Sequence, residues 1–61
     1  MKTVWVLAPA DITVGVLKGK KGKVVGYDSY SQDVEIEIDE YTAVIMKAEH
    51  IEQSKYMSGE F

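Results

Sequence analysis

The sequence has no cysteine and no arginine, and it contains a single histidine, His50, and a single proline, Pro9. Without cysteine, the chain can form no disulfide, no thiolate nucleophile and no zinc knuckle. With one histidine, a metal site would have to consist almost entirely of carboxylates. A chain of 61 residues that lacks both usual supports of a very small fold depends on its local sequence or on self-association for stability.

Long apolar runs are also missing. No run approaches the roughly 18 apolar residues of a membrane-spanning helix. The apolar stretch at residues 4–7 is shorter than the ~7–15 residues of a signal-peptide core. We therefore expect a cytoplasmic protein that has no membrane partner.

Signatures of catalysis and of metal binding are absent as well. Ser29 and Ser31 lie in a polar turn far along the chain from His50, and no phosphate-binding loop or nucleophile elbow is present. Carboxylates on an alternating strand lie side by side, whereas calcium needs 6–8 oxygens that converge on one point. We predict that the protein is not an enzyme and that it uses no cofactor and no metal.

The signals that are present are mostly those of β-strands. The clearest is "DVEIEID", in which Val34, Ile36 and Ile38 alternate with acidic residues. In "KAEHIE", Ala48 and Ile51 are three residues apart, which predicts one helical or 3₁₀ turn with both side chains facing inward. The predicted strands lie at residues 3–7, where Pro9 ends the strand, and at residues 23–27, 33–39, 41–47 and 53–56.

Five short strands with little helix predict an all-β fold, a small five-stranded barrel with one 3₁₀ turn near residues 48–51, because closure removes exposed sheet edges. The barrel would span residues 1–56, and residues 57–61 would form a short tail. The order of elements resembles the SH3-like barrel. "VLKGKKGKVVGYD" followed by "VEIEI", within residues 14–38, resembles the KOW motif in particular. The resemblance makes Gly22 the glycine of that family, with Gly15 and Gly19 in the loop before it.

An acidic row is the first candidate binding feature. Asp33, Glu35, Glu37 and Asp39 share one strand face at a spacing of about 6.6–6.8 Å, and Glu40 extends the row. This spacing is similar to that of successive phosphates along a nucleic-acid strand. In this respect the chain resembles the small acidic DNA-mimic proteins of phages. The row predicts docking on a basic protein surface, such as one that normally holds nucleic acid, whereas an ordinary solvated strand face would show the same pattern.

A lysine-rich stretch is the second candidate. Four lysines occur within six residues, namely Lys18, Lys20, Lys21 and Lys23, and KOW-type barrels often bind RNA. Arginine, the usual residue for bidentate phosphate contacts, is missing. Residues 1–27 carry five lysines and one aspartate, but residues 28–61 carry nine acidic residues and two lysines. The net charge of −3 argues against nucleic-acid binding, which counterion release drives, and an exposed solubilising turn would explain the lysines equally well.

Aromatic residues accompany both candidates. Tyr30 and Tyr41 lie in or beside turns and are candidate anchors for a protein partner. Tyr27 or Tyr30 would stack on bases if the lysines bound RNA or DNA. A structural role as an accessory subunit of a larger assembly is a third function that the sequence leaves open.

The segment "AVIM", residues 43–46, is apolar on both faces of its predicted strand. A one-layer barrel covers only one of these faces well. We predict that the other is covered by the tail or by a second copy of the chain, which would make the protein a homodimer.

Overall fold

The computed structural model describes residues 3–57, without the side chains of Lys55 and Met57. Its strands are β1 (Pro9–Ile12), β2 (Lys21–Asp28), β3 (Asp33–Asp39), β4 (Thr42–Lys47) and β5 (Ile51–Glu52); a 3₁₀ turn (Ala48–His50) precedes β5, and one helical turn, α1 (Ser54–Met57), follows it. The strands form one antiparallel sheet in the order β4-β3-β2-β1-β5. The predicted all-β fold with five strands and one 3₁₀ turn is confirmed. Within residues 3–57, no helix is long and apolar enough to cross a membrane.

The core lies on one face of this sheet, which we call the inward face. Buried residues come from every strand except β4 and from the 3₁₀ turn, namely Ala10, Ile12, Val24, Val34, Ile36, Ala48 and Ile51. Val44 and Met46 of β4 are partly buried against them. The apolar residues of β3 therefore face the core and its acidic residues face outward, as predicted. Ala48 and Ile51 also face inward as expected.

Gly22 of β2 lies tightly packed against β3. A Cβ atom at this position would collide with the Ile36 side chain and would lie 2.9 Å from the backbone oxygen of Glu37. Only glycine leaves the space that this approach requires. This is the glycine that the KOW resemblance identifies, and strand packing gives it a physical reason.

A bulge in β2 sets the register of the sheet. Val24 lies opposite Ile36, but the next paired residue, Gly26, lies opposite Glu35, so Val25 is the extra residue. Beyond the bulge, Tyr27 lies opposite the buried Val34 and packs against the core. Gly26 consequently lies on the outward face of the sheet.

The predicted strand at residues 3–7 is wrong. The first strand begins at Pro9, the residue expected to end it, and Leu7 has a left-handed backbone with φ of 70°. The buried side chain of Gln53 accepts a hydrogen bond from the Trp5 N–H at 2.9 Å and donates one to the Trp5 carbonyl at 2.8 Å. The Gln53 side chain thus bonds the Trp5 backbone groups that a neighbouring strand would otherwise bond. A contact distant in sequence therefore overrides the strand propensity of residues 3–7.

The closing strand is also misplaced in the prediction. Residues 53–56 do not form a strand, because β5 consists of Ile51 and Glu52 and is followed by α1. The Ser54 N–H donates to the Glu52 carboxylate at 2.9 Å, and the Tyr56 N–H donates to the Gln53 carbonyl at 2.9 Å. These local bonds start a helical turn instead. Residues 58–61 of the predicted tail lie outside the described residues.

Candidate functional site

The outward face of β2, β3 and β4 is the surface on which the candidate acidic residues stand, and we call it the acidic face. Antiparallel pairing arranges its side chains in three rows across the strands. The rows are Lys23–Glu37–Ala43, Gly26–Glu35–Ile45 and Asp28–Asp33–Lys47. Each β3 carboxylate therefore has a different pair of neighbours, and the three carboxylates differ in how far they are neutralised.

Asp33 is the most strongly paired of them. The Lys47 ammonium lies 2.9 Å from its Oδ1, and the Ser31 hydroxyl donates to its Oδ2 at 2.9 Å. The hydrogen bond from Lys47, followed by that from Ser31, lowers the pKa of Asp33. Because Lys47 also donates to the Ser31 carbonyl at 3.0 Å, this end of the acidic face is locally tied together.

Glu37 occupies the opposite end. It lies across from Lys23 on β2 and from Ala43 on β4. Opposite charges at directly facing positions attract one another. The lysine-rich stretch thus contributes a cation to the acidic face itself.

Glu35, in the central row, has no basic residue directly opposite it on either adjacent strand. On one side lies Gly26, where a Cβ atom would stand 3.4 Å from the Glu35 carboxylate, and on the other lies Ile45, which is 70% exposed. The missing side chain at Gly26 leaves an open hollow of about 380 Å³. Its lining combines three carboxylates with apolar atoms, from Gly26, Tyr27, Asp28, Asp33, Glu35 and Ile45. Such a lining suits a long cationic side chain, whose charge needs carboxylates and whose methylenes need apolar contact.

Asp39 and Glu40 lie beyond this regular part of the face. The register shifts between Glu37 and Asp39, so the even spacing of the row holds for Asp33, Glu35 and Glu37. The Asp39 carboxylate accepts a hydrogen bond from the Tyr41 N–H at 2.9 Å, which stabilises the turn into β4. Asp39 and Glu40 are both exposed there.

The two candidate anchors stand at opposite ends of β3. Tyr30 is 100% exposed in the turn before it, where its N–H is bonded to the Asp28 carboxylate, and Tyr41 is 90% exposed in the turn after it. Seven residues of strand separate the two turns, about 20 Å at 3.4 Å per residue. Tyr27 differs from both because it packs on the core.

The lysines do not form a single patch. Lys18 and Lys20 are exposed in the loop between β1 and β2, where Gly15 and Gly19 have φ of 82° and 94°. The ammonium of Lys21 lies 5.8 Å from the centre of the Tyr56 ring, a cation–π geometry. Lys23 lies opposite Glu37 on the acidic face, so the four lysines are divided between the loop, the Tyr56 ring and this face.

Exposed apolar residues are what the sequence interpretation missed. Val16 is fully exposed at the tip of the β1–β2 loop, and Trp5, Val6 and Leu7 are exposed in the N-terminal segment. A second cavity of about 280 Å³ is lined by Val14, Gly15, Val16, Leu17, Met46 and His50. In the sequence, the only indication of this cavity is the pair of valines that flank Gly15 in the lysine-rich loop.

No metal centre can be assigned to residues 3–57, since they contain no group of three or more histidine, aspartate or glutamate side chains placed to hold an ion.

Comparison with known proteins bears on the fold. No family model and no curated protein matches the chain. A crystal structure of the MjSpt4:Spt5 complex contains a chain that matches 87% of this one with a TM-score of 0.78 and 18% sequence identity. The match covers 38% of that chain, so the present chain spans well under half of its length. At this identity the likeness concerns the fold, and it supports the small SH3-like, KOW-type fold that the sequence resembles. It gives no support to the resemblance to phage DNA-mimic proteins, which stays a prediction.

Proposed function

We propose that this barrel is a non-enzymatic binding module whose acidic face docks on a basic surface of a partner protein. One observation carries the proposal. Glu35 stands at the centre of the face with no basic residue directly opposite it on either adjacent strand, beside a hollow that Gly26 leaves open. A carboxylate that no cation faces directly, beside an open hollow with both acidic and apolar walls, is complementary to a lysine or arginine side chain from outside.

The hollow defines how such a side chain binds. Its charged group meets the carboxylates of Glu35 and Asp33, while its methylenes lie against Ile45 and over Gly26. Exposed ion pairs contribute only about 0.2–1 kcal/mol each, but a charge-assisted hydrogen bond in a partly desolvated site contributes roughly 1.5–3 kcal/mol. The net charge of −3 adds long-range attraction, which speeds association with a basic partner.

The exposed tyrosines complete the proposed contact. Tyr30 and Tyr41 project from the two turns that bound β3, so both can touch a partner that lies along the strand. Aromatic side chains at such positions frequently dominate binding energy because they bury a large area at little entropic cost. The carboxylates then fix the orientation.

The partner surface we propose is one that normally holds nucleic acid. Asp33, Glu35 and Glu37 project from alternate residues of one strand, about 6.6–6.8 Å apart. A surface built to receive successive phosphates presents its cations at a similar spacing. A phage or mobile-element protein that blocks a host nucleic-acid-binding protein would work in this way.

The second candidate function is direct binding of RNA or DNA by the lysines, with Tyr27 or Tyr30 stacking on bases. The exposed loop that carries Lys18 and Lys20 favours it. Lys21 and Lys23 weaken it, because one lies over Tyr56 and the other faces Glu37. A third role, as an accessory subunit, draws on the matched structure, which is itself a complex.

Paired charge reversals separate the first two functions. One variant combines Glu35→Lys with Glu37→Lys, and its matched control combines Lys20→Glu with Lys21→Glu. Binding of a short lysine- and arginine-rich peptide is followed by NMR, beside a single-stranded RNA and a DNA duplex. We expect the peptide to shift the amides of Gly26, Glu35 and Ile45 in the wild type and in the control but not in the acidic-face variant.

The opposite pattern would refute the proposal. In that case the nucleic acids would shift the amides of residues 15–23, binding would weaken steeply with salt, and the lysine reversal would abolish it.

A further inference from the structure

Strand β4 is an edge of the sheet. It pairs with β3 on one side and is the last strand in the order β4-β3-β2-β1-β5. The Ala48 N–H donates to the Gln32 carbonyl at 2.8 Å, which continues the β3–β4 ladder beyond the end of the strand. Because antiparallel ladders alternate, the backbone groups of Val44 and Met46 point to β3 and those of Ala43, Ile45 and Lys47 point away from the sheet.

The side chains along this edge are apolar on both faces. Ile45 is exposed on the outward face, beside Ala43. On the inward face Val44 and Met46 are only partly buried, and Met46 forms a wall of the 280 Å³ cavity shared with the valines of the β1–β2 loop. A strand edge of this kind recruits another strand unless charges guard it.

The one charge on the strand does not guard it. Lys47 is drawn back along its own sheet by the ion pair with Asp33 at 2.9 Å and by the hydrogen bond to the Ser31 carbonyl. Its ammonium therefore lies over β3 and leaves the backbone edge open.

We propose that two copies of this chain pair antiparallel along their β4 edges, about a two-fold axis beside Ile45. In this register Ile45 faces Ile45 of the second copy, and Ala43 faces Lys47 of the second copy at both ends. All three pairs use the outward-pointing backbone groups, so each can exchange two hydrogen bonds. On the inward face Val44 lies against Met46 of the second copy in closely spaced pairs.

Charge complementarity favours this register. No like charges face each other, and the small Ala43 separates Lys47 of the second copy from Glu37 in the next strand. Lys47 of each copy then lies between Asp33 of its own chain and Glu37 of the other. The interface is short, since β4 has six residues, so the dimer is expected to be weak and concentration-dependent.

Pairing produces one continuous ten-stranded sheet with the two acidic faces side by side. This inference is independent of the proposed function, because it rests on the edge of β4 and its tests use no partner.

The first test is sedimentation equilibrium from micromolar to millimolar concentration. The Ile45→Lys variant places two like charges at the axis, and Tyr30→Lys adds the same charge at an exposed position in another turn. We expect the wild type and Tyr30→Lys to move from 6.8 kDa towards twice that mass, and Ile45→Lys to dimerise at least ten-fold more weakly. A wild type that stays monomeric, or a dimer that Ile45→Lys does not weaken, would overturn the inference.

Cross-linking tests the register and does not depend on how well the lysine variant folds. The chain has no cysteine, so single-cysteine variants report one position each. In the Ile45→Cys variant the facing Cα atoms lie about 5.5 Å apart, within disulfide range, whereas in Ala43→Cys they are about 14 Å apart along the strands. Rapid disulfide formation is expected for Ile45→Cys only; equal rates for Ile45→Cys, Ala43→Cys and a Tyr30→Cys collision control would contradict the register.

Discussion

The buried side chain of Gln53 is the most consequential polar group in the described structure, and its removal tests how the N-terminal segment is held. Gln53 is 2% exposed and makes three hydrogen bonds, two with the Trp5 backbone and one to the Pro9 carbonyl at 3.3 Å. Two of the three backbone groups that Gln53 contacts belong to Trp5, which lies before the first strand. Gln53→Ala removes all three bonds and leaves a void.

The expected loss of unfolding free energy in Gln53→Ala follows from these contacts. Each hydrogen bond contributes about 0.5–1.5 kcal/mol net, so the loss of three costs roughly 2–4 kcal/mol. A chain of this size has a total unfolding free energy of roughly 3–9 kcal/mol at 0.05–0.15 kcal/mol per residue, so the variant loses a large share of it. At roughly 8 °C per kcal/mol for a chain of this size, the melting temperature should fall by about 16–32 °C.

Fluorescence of the single tryptophan is the natural assay, because Trp5 lies in the segment that Gln53 holds. Urea titrations give the free energy of unfolding, and a red shift of the native emission reports release of the segment. The isosteric Gln53→Glu keeps the acceptor but replaces the donor with a carboxylate that faces two carbonyls, so it should be destabilised more at pH 7 than at pH 4. A loss below about 0.5 kcal/mol for Gln53→Ala, with unchanged emission, would refute the reasoning.

Three further predictions concern the sheet. Gly22→Ala should cost about 1–3 kcal/mol in urea denaturation because its methyl group collides with Ile36, whereas Gly26→Ala, which makes only ordinary contacts, should change stability by less than about 0.5 kcal/mol; similar losses would contradict the packing argument. Ile36→Ala should cost roughly 2–5 kcal/mol by opening a cavity under β2, and a smaller loss would mean that the core collapses around it. Because the pKa of Asp33 is lowered in the fold, its carboxylate stabilises the fold above the pKa of an unfolded aspartate, about 3.9, and this contribution disappears as the pH falls through the folded value. Acid should therefore reduce the unfolding free energy of the wild type more steeply than that of Lys47→Met. Parallel pH profiles for the two proteins would contradict a stabilising role for the Asp33–Lys47 pair.

The parts of the fold that depend on local sequence were predictable. Strand β3 has the predicted bounds because its period-2 alternation is set within seven residues. The 3₁₀ turn follows from the spacing of Ala48 and Ile51. The segment around Trp5 was mispredicted because a side-chain contact spanning 48 residues decides its conformation. The segment after Gln53 was mispredicted because local hydrogen bonds start a helical turn there.

The candidate site was predictable only in outline. The alternation places Asp33, Glu35 and Glu37 on one face, but it does not say what stands beside each carboxylate. That depends on the bulge at Val25, which brings Gly26 across from Glu35 and turns Tyr27 inward. A regular register would have set Val25 beside Glu35 and removed the hollow, so the most specific feature of the surface arises from an irregularity without a sequence signal.

The most direct test of the proposed function is the affinity of one arginine-containing peptide for two variants of equal charge. Glu35→Gln neutralises the carboxylate beside the hollow, and Glu49→Gln neutralises an exposed carboxylate in the 3₁₀ turn. We expect Glu35→Gln to weaken binding at least about ten-fold, because the lost charge-assisted hydrogen bond contributes roughly 1.5–3 kcal/mol, and Glu49→Gln to leave binding within about two-fold. Equal weakening by the two variants would mean that the peptide senses net charge alone, and it would contradict a binding site on the acidic face.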